Sequence, residues 1–98
     1  MRHREIRALR DRQCAAVREV GRMLGADRRG ARAIAVAARS VGIPVREVSA
    51  ALGWSDSSVG GWMRRASGEP DPLVAAAEAA LLVMLRDTEN RPLPGVRS

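Results

Sequence analysis

Apolar residues recur along this chain at intervals of three and four, the period of an α-helix. Residues 3–24 form the first predicted helix and residues 28–41 the second, with Asp27 as its N-cap. The apolar face of the first helix, which we expect to pack against this chain or a second copy, comprises Ile6, Leu9, Gln13, Ala16, Val20 and Met23, widened by Val17 and Leu24. With few β-branched runs and no Phe or Tyr, the sequence predicts an all-α fold of closely packed helices.

Residues 45–66 have the pattern of two short helices joined by a tight turn. Gly53, which can adopt positive φ without strain, ends the first of them. Ser55 then stands as the N-cap of a second helix over residues 56–66. The apolar face of the first helix comprises Val45, Val48 and Leu52, and that of the second comprises Val59, Trp62, Met63 and Ala66. This pattern is typical of a helix-turn-helix motif.

The run REVSAALGWSDSSVGGWMRR resembles the "REIA..LG.S.STV..W.RR" segment of small helix-turn-helix DNA-binding regulators of high-GC bacteria and their phages. The resemblance covers residues 28–66, and its motif positions are Ser49, Val48, Leu52, Gly53, Val59 and Trp62. Ser49 replaces the usual alanine, and Gly60-Gly61 inside the recognition helix is a larger departure. The resemblance implies a three-helix DNA-binding core in which the second helix of the motif enters the major groove.

The residues expected to contact DNA lie on the outward side of that helix and at the start of the preceding core helix. On helix 56–66 they are Asp56, Ser57, Ser58, Gly60, Gly61, Arg64 and Arg65, the two arginines chiefly on phosphate. Three further arginines are expected to contact DNA from the start of the preceding core helix, namely Arg28, Arg29 and Arg32. Cations at a helix N-terminus oppose the macrodipole, so contact with an anion explains their presence better than helix stability does. Close approach to DNA, close approach to a protein, or a helix ordered on binding would each explain the paired glycines.

Charge is unevenly distributed between the two parts of the chain. Residues 1–65 hold 14 arginines against 6 acidic residues, a net charge of +8, whereas residues 66–98 hold 3 against 5, a net charge of −2. The basic part therefore coincides with the motif, which favours a polyanion such as double-stranded DNA as partner. A solvated basic face would show the same balance.

The segment 71–87 is apolar nearly all round. Asp71 is placed as its cap and Pro72 at its first helical position. A helix that is apolar on all sides must be buried on all sides, and a chain of 98 residues has little to cover the far face. We therefore expect this helix to pack on the core and to form a homodimer interface, with residues 88–98 as an extended or mobile tail.

Several classes of site are not expected. Cys14 and His3 are the single cysteine and histidine, so the sequence predicts no metal site, no cofactor and no internal disulfide, and a reducing, cytoplasmic setting fits. No signal peptide or membrane span is indicated. Paired carboxylates and a phosphate-binding glycine loop are also missing, so we expect no enzyme and no catalytic residues.

The favoured interpretation is a single helix-turn-helix domain over residues 1–98, acting as a sequence-preferring and dimeric transcriptional regulator. An accessory DNA-binding factor of a phage or mobile element is an alternative that the residues do not separate from it. A third possibility is a protein-interaction module, binding for example a polymerase subunit. Helix 56–66 carries few side chains that discriminate strongly between bases, which favours this possibility, whereas the basic charge of residues 1–65 disfavours it.

Overall fold

The computed structural model describes residues 3–90, and these residues form five α-helices and no strand. The predicted all-α helix-turn-helix fold is therefore confirmed. The helices are α1 (His3–Leu24), α2 (Arg28–Ser40), α3 (Val45–Leu52), α4 (Asp56–Arg64) and α5 (Pro72–Asn90).

Side-chain caps define the starts of three helices as predicted. Each cap oxygen accepts a hydrogen bond from a backbone N–H of the first turn, which would otherwise lack a partner. The pairs are Asp27 Oδ1 with Gly30 (3.0 Å), Ser55 Oγ with Ser58 (3.1 Å) and Asp71 Oδ1 with Leu73 (2.9 Å). The turn of the motif is also as predicted, because Gly53 has φ 76° and its N–H bonds to the carbonyl of Ser49 at 2.9 Å.

Three helix ends differ from the predictions. The second core helix ends at Ser40, with Val41 as its C-cap. The recognition helix ends at Arg64 rather than at residue 66. Arg65 is its C-cap, with φ −90° and ψ 3°, and the N–H of Arg65 makes the last helical bond, to the carbonyl of Gly61. The prediction of an extended or mobile tail from residue 88 was wrong for residues 88–90, which continue α5, because no proline lies between Pro72 and Pro92 to stop the helix. Residues 91–98 lie outside the described part of the chain.

The first helix packs on the other helices of this chain. It contacts α2, α3 and α5, and Val17 and Val20 on it are fully buried. Gly21 permits the close crossing with α3, since a Cβ there would lie 2.8 Å from Cδ2 of Leu52. The other fully buried large side chains are Ile34, Val48, Val59 and Leu81, so every helix contributes to one core.

Two residues of the predicted apolar face of α1 are exposed. Ile6 is 38% accessible and Met23 is 56% accessible. Met23 lies about a quarter turn from the face centred on Val17 and Val20, so its side chain points away from the core. The buried residues of α1 begin only at Gln13, which leaves Ile6 two turns before that packed part.

The last helix is buried along one side only. Ala77 and Leu81 are inaccessible on the side that faces α1 and α2. On the opposite side Leu82 and Val83 are 46% and 52% accessible. The expectation that α5 is buried all round is therefore not met by the single chain, which leaves an apolar surface uncovered.

Candidate nucleic-acid interface

The recognition helix α4 is held by a face of large apolar side chains. Val59 is fully buried, and Trp62 and Met63 are 7% accessible, so the prediction that Val59 and Trp62 face inward is confirmed. These side chains join the core formed with α2 and α3. The opposite side of α4 is thereby directed away from the protein.

The end of α4 is fixed by a cation. The guanidinium of Arg39, in the last turn of α2, donates a hydrogen bond to the backbone carbonyl of Met63. That carbonyl is one of the last four of α4 and has no partner within the helix. A positive charge also interacts favourably with the negative end of the helix dipole. The sequence did not single out Arg39, because its partner lies 24 residues away.

The turn of the motif is fixed at its other end by Trp54. The indole N–H of this residue donates to the backbone carbonyl of Ala26 at 3.0 Å. Its ring packs edge-on against Trp62, with centroids 5.3 Å apart and an interplanar angle of 64°. Trp54 is partly buried, packed against the core. The turn before α4 is therefore tied to the linker between α1 and α2.

The outward side of α4 carries most of the predicted contact residues. Asp56, Ser57, Arg64 and Arg65 are exposed. Ser58 is half-buried, and its hydroxyl oxygen accepts a hydrogen bond from Ser55 Oγ at 3.0 Å. The Ser58 hydroxyl thus serves the start of the helix and retains its own proton as a free donor.

Gly60 and Gly61 are buried, which differs from the expectation of an open outward surface. The side chain of Arg64 folds back over Gly60, with Nη1 3.2 Å from where a Cβ would lie. The guanidinium of Arg65 covers Gly61 at 2.9–3.3 Å from the same point. The paired glycines therefore make room for two guanidinium groups on the backbone of α4, a reason that none of the sequence-based explanations included.

A basic cleft lies between α2 and the end of α4. We give this name to the space of about 290 Å³ lined by Arg28, Arg32, Val36, Trp62, Arg65 and Ala66. The structure thus brings two predicted arginines of α2 together with one that follows α4. Within the described residues none of the three arginines forms an ion pair, so their charges remain available to an anion.

Arg29 lies apart from this cluster. It lines a wider cleft of about 830 Å³ between α2, the 66–71 connection and α5. Arg28 and Arg32 reach that cleft too, but its walls also carry the carboxylates of Asp27, Glu69, Asp71 and Glu78. These acids repel phosphate, so the narrower basic cleft is the better anion site of the two.

Another cation near the motif was missed in the sequence. Arg46 is exposed in the first turn of α3 and has no ion pair with a described residue. Pro44 is the N-cap of this helix and supplies no side-chain cap. The guanidinium of Arg46 therefore lies at the start of α3, and the position of Arg46 two residues after Pro44 was the available signal in the sequence.

Two searches of the described residues bear on other kinds of site. No group of three or more His, Cys, Asp or Glu side chains there is arranged to hold a metal ion. None of the helices within residues 3–90 has the length and apolar character needed to cross a membrane.

The comparisons with known proteins agree with this geometry. Residues 26–74, half of the 98-residue chain, match the family described as the homeodomain-like domain. The matched segment runs from the linker before α2 to the start of α5 and so includes the whole motif. No curated protein and no solved structure matches the chain. The chain therefore belongs to the homeodomain-like family of helix-turn-helix DNA-binding domains.

Proposed function

We propose that this protein is a dimeric, sequence-preferring transcriptional regulator of the kind found in high-GC bacteria and their phages. It inserts α4 into the major groove, with the N-terminal residues of the helix toward the base edges. The observation that carries this proposal is the convergence of Arg28, Arg32 and Arg65 at the C-terminal end of α4, where none of them has an acidic partner in the described residues.

The proposed base contacts come from the start of α4. Asp56 accepts from a cytosine amino group, and the Ser57 and Ser58 hydroxyls bond to bases or phosphates. Serine discriminates poorly between bases, so these contacts give modest sequence preference. Gly60 and Gly61 let the backbone of α4 approach DNA once the arginine side chains that cover them swing away.

Phosphate contacts supply most of the affinity in this proposal. Arg64 and Arg65 extend from the end of α4 to one strand, and Arg28 and Arg32 join Arg65 on it. Arg29 contributes less, because carboxylates share its cleft. Arg46 adds a contact where the first helix of the motif crosses the backbone. Each such contact releases counterions, so binding weakens steeply with salt.

The protein acts in the cytoplasm and has no catalytic role in this proposal. Its one thiol, Cys14, has no second cysteine in the chain to pair with, which is compatible with a reducing compartment. Two copies bind a near-palindromic site, with recognition helices about one turn of DNA apart. The exposed apolar side of α5 favours a second candidate, in which that surface binds another protein instead.

The experiment that tests the proposal is selection of bound fragments from sheared genomic DNA at low and moderate salt. Enrichment of a few sites with two-fold symmetry is the expected result. Salt-sensitive binding without enrichment would indicate an accessory or architectural factor of a phage or mobile element. Absence of binding at both salt concentrations would contradict DNA binding and support the protein-interaction candidate.

A matched pair of variants tests the assignment of α4. Arg64→Ala combined with Arg65→Ala removes two proposed phosphate contacts, so the slope of log K against log salt should fall by about 1.8. Arg4→Ala combined with Arg7→Ala removes the same charge from exposed positions at the start of α1. Equal losses in the two variants would contradict a specific role for α4.

A further inference from the structure

The uncovered side of α5 has a definite pattern of side-chain size. Seven residues at helical spacing form this side, which we call the α5 outer face: Pro72, Ala75, Ala76, Ala79, Leu82, Val83 and Arg86. All seven are exposed. Ala79 lies at the centre, small alanines lie on one side of it, and the larger Leu82 and Val83 lie on the other.

This pattern is complementary to itself when reversed about Ala79. In an antiparallel pair with Ala79 against Ala79, residue i lies level with residue 158 − i of the other copy. Ala75 and Ala76 then lie level with Val83 and Leu82 of the second copy. Large side chains therefore meet small ones at both ends, which is the packing that closely spaced helices require.

The charges select the same arrangement. Arg86 ends the α5 outer face, and in the antiparallel pair it lies level with Pro72 of the second copy, beside the exposed Asp71. A parallel pair would instead set Arg86 against Arg86 and Leu82 against Leu82, leaving a gap between the alanines. Between Pro72 and Arg86 the face carries no charge, so nothing opposes close contact in the reversed pair.

We propose that two copies of this chain pair through their α5 outer faces, antiparallel and with the two-fold axis at Ala79. This inference gives the surface and register of the dimer in the proposed function and rests on that part of it. It requires no contact with DNA. Closed two-fold symmetry of this kind uses the same surface on both copies.

Disulfide trapping in the full chain, without DNA, tests the register. Cys14→Ser removes the native thiol, and Ala79→Cys then places one thiol per copy at the axis. Packed helices lie about 8–10 Å apart and Cα atoms lie about 2.3 Å from each axis, which leaves about 3.4–5.4 Å between the Cα atoms. That spacing overlaps the range of about 4.4–6.8 Å that a disulfide needs.

Ala75→Cys in the same background is the matched control. Four residues from the axis, its two copies are offset by about 12 Å along the helices, too far for a disulfide. Mild oxidation should therefore cross-link Ala79→Cys at least about 10-fold faster than Ala75→Cys. Equal rates would indicate parallel or unspecific pairing, and the proposal would then be wrong.

Sedimentation of the unmodified chain provides the second measurement. We expect a dimer at micromolar concentration, and Leu82→Glu should raise the dimer dissociation constant at least about 100-fold by placing a carboxylate in the interface. Far-ultraviolet circular dichroism shows whether this variant is folded. If it is not, Ala76→Leu is the substitute test, because it fills the small half of the α5 outer face and should weaken pairing. A wild-type monomer would overturn the proposal while leaving DNA binding intact. Conversely, if Ala79→Cys cross-links but the DNA selection enriches no sites, the interface stands and only the proposed regulatory function is refuted.

Discussion

Arg39 and Met63 are joined by a hydrogen bond from a guanidinium N–H to a backbone carbonyl oxygen, across 24 positions of sequence. This bond links the last turn of α2 to the last turn of α4. Because both partners belong to helices of the DNA-binding core, it sets the direction of the recognition helix relative to its support. Trp54 does the same at the opposite end of α4 through its bond to Ala26.

Loss of the Arg39 cap should destabilise the fold. We expect Arg39→Ala to lower the free energy of unfolding by about 1–2 kcal/mol, since the Met63 carbonyl loses a charged donor and the helix dipole loses its counter-charge. Urea denaturation measures the change. Arg7→Ala removes an equal charge from an exposed position of α1 that has no ion pair or hydrogen bond with a described residue, so a similar loss there would contradict the capping role.

Replacement of Ser49 by alanine should maintain or increase the stability of the fold. Its Oγ is buried and has no hydrogen-bond partner among the described residues. An unsatisfied buried hydroxyl is unfavourable by about 1–3 kcal/mol, and alanine has the higher helix propensity. Ser49→Ala should therefore leave the free energy of unfolding unchanged or raise it by about 1 kcal/mol in thermal or urea unfolding. A clear loss of stability would mean that the hydroxyl has a partner in solution.

Replacement by alanine should have opposite effects on stability at Gly30 and at Gly61. At Gly30 a Cβ would lie 2.1 Å from the carbonyl oxygen of Gly25, a backbone atom that cannot move aside, so Gly30→Ala should cost about 1–3 kcal/mol. At Gly61 it would meet only the flexible end of Arg65, so Gly61→Ala should stabilise α4 by about 1 kcal/mol. Melting temperatures of the two variants provide the comparison, and a shift in the same direction for both would contradict it.

The basic cleft should contribute to DNA binding independently of α4. Arg28→Ala combined with Arg32→Ala should reduce the slope of log K against log salt by about 1.8, with little change in the sequences selected. Fluorescence anisotropy over a salt series measures the slope. Arg29→Ala is the neighbouring control. It removes one charge, and it should lower the slope by less than the value of about 0.9 for one phosphate contact, because carboxylates line its cleft. A larger effect at Arg29 would place the DNA on the wider cleft instead.

The local features of this fold were predictable from the sequence. Helix spacing, cap residues and the glycine turn depend on neighbours within about four positions, so α1, α3 and the caps at Asp27, Ser55 and Asp71 are found where predicted. The start of α4 follows from Ser55 for the same reason. Helix ends were less accurate where no residue enforces a stop.

Contacts between distant segments were beyond that reasoning. Arg65 meets Arg28 and Arg32 only because α4 crosses α2, and Arg39 caps α4 for the same reason. Helix α5 is apolar on all sides, so its period could not indicate which side faces the core; burial of Ala77 and Leu81 decides it. The cover that Arg64 and Arg65 provide over the glycines depends on side-chain conformation, which spacing does not encode.

The edge-on pair of Trp54 and Trp62 gives the molecule an internal optical probe. These are the only two tryptophans of a chain without tyrosine or phenylalanine, so its near-ultraviolet absorption and emission arise entirely from the helix-turn-helix motif. Emission during a DNA titration or a thermal melt therefore reports on that motif without an added label. Far-ultraviolet circular dichroism reports on all five helices, and comparing the two signals shows whether the motif unfolds together with α1 and α5.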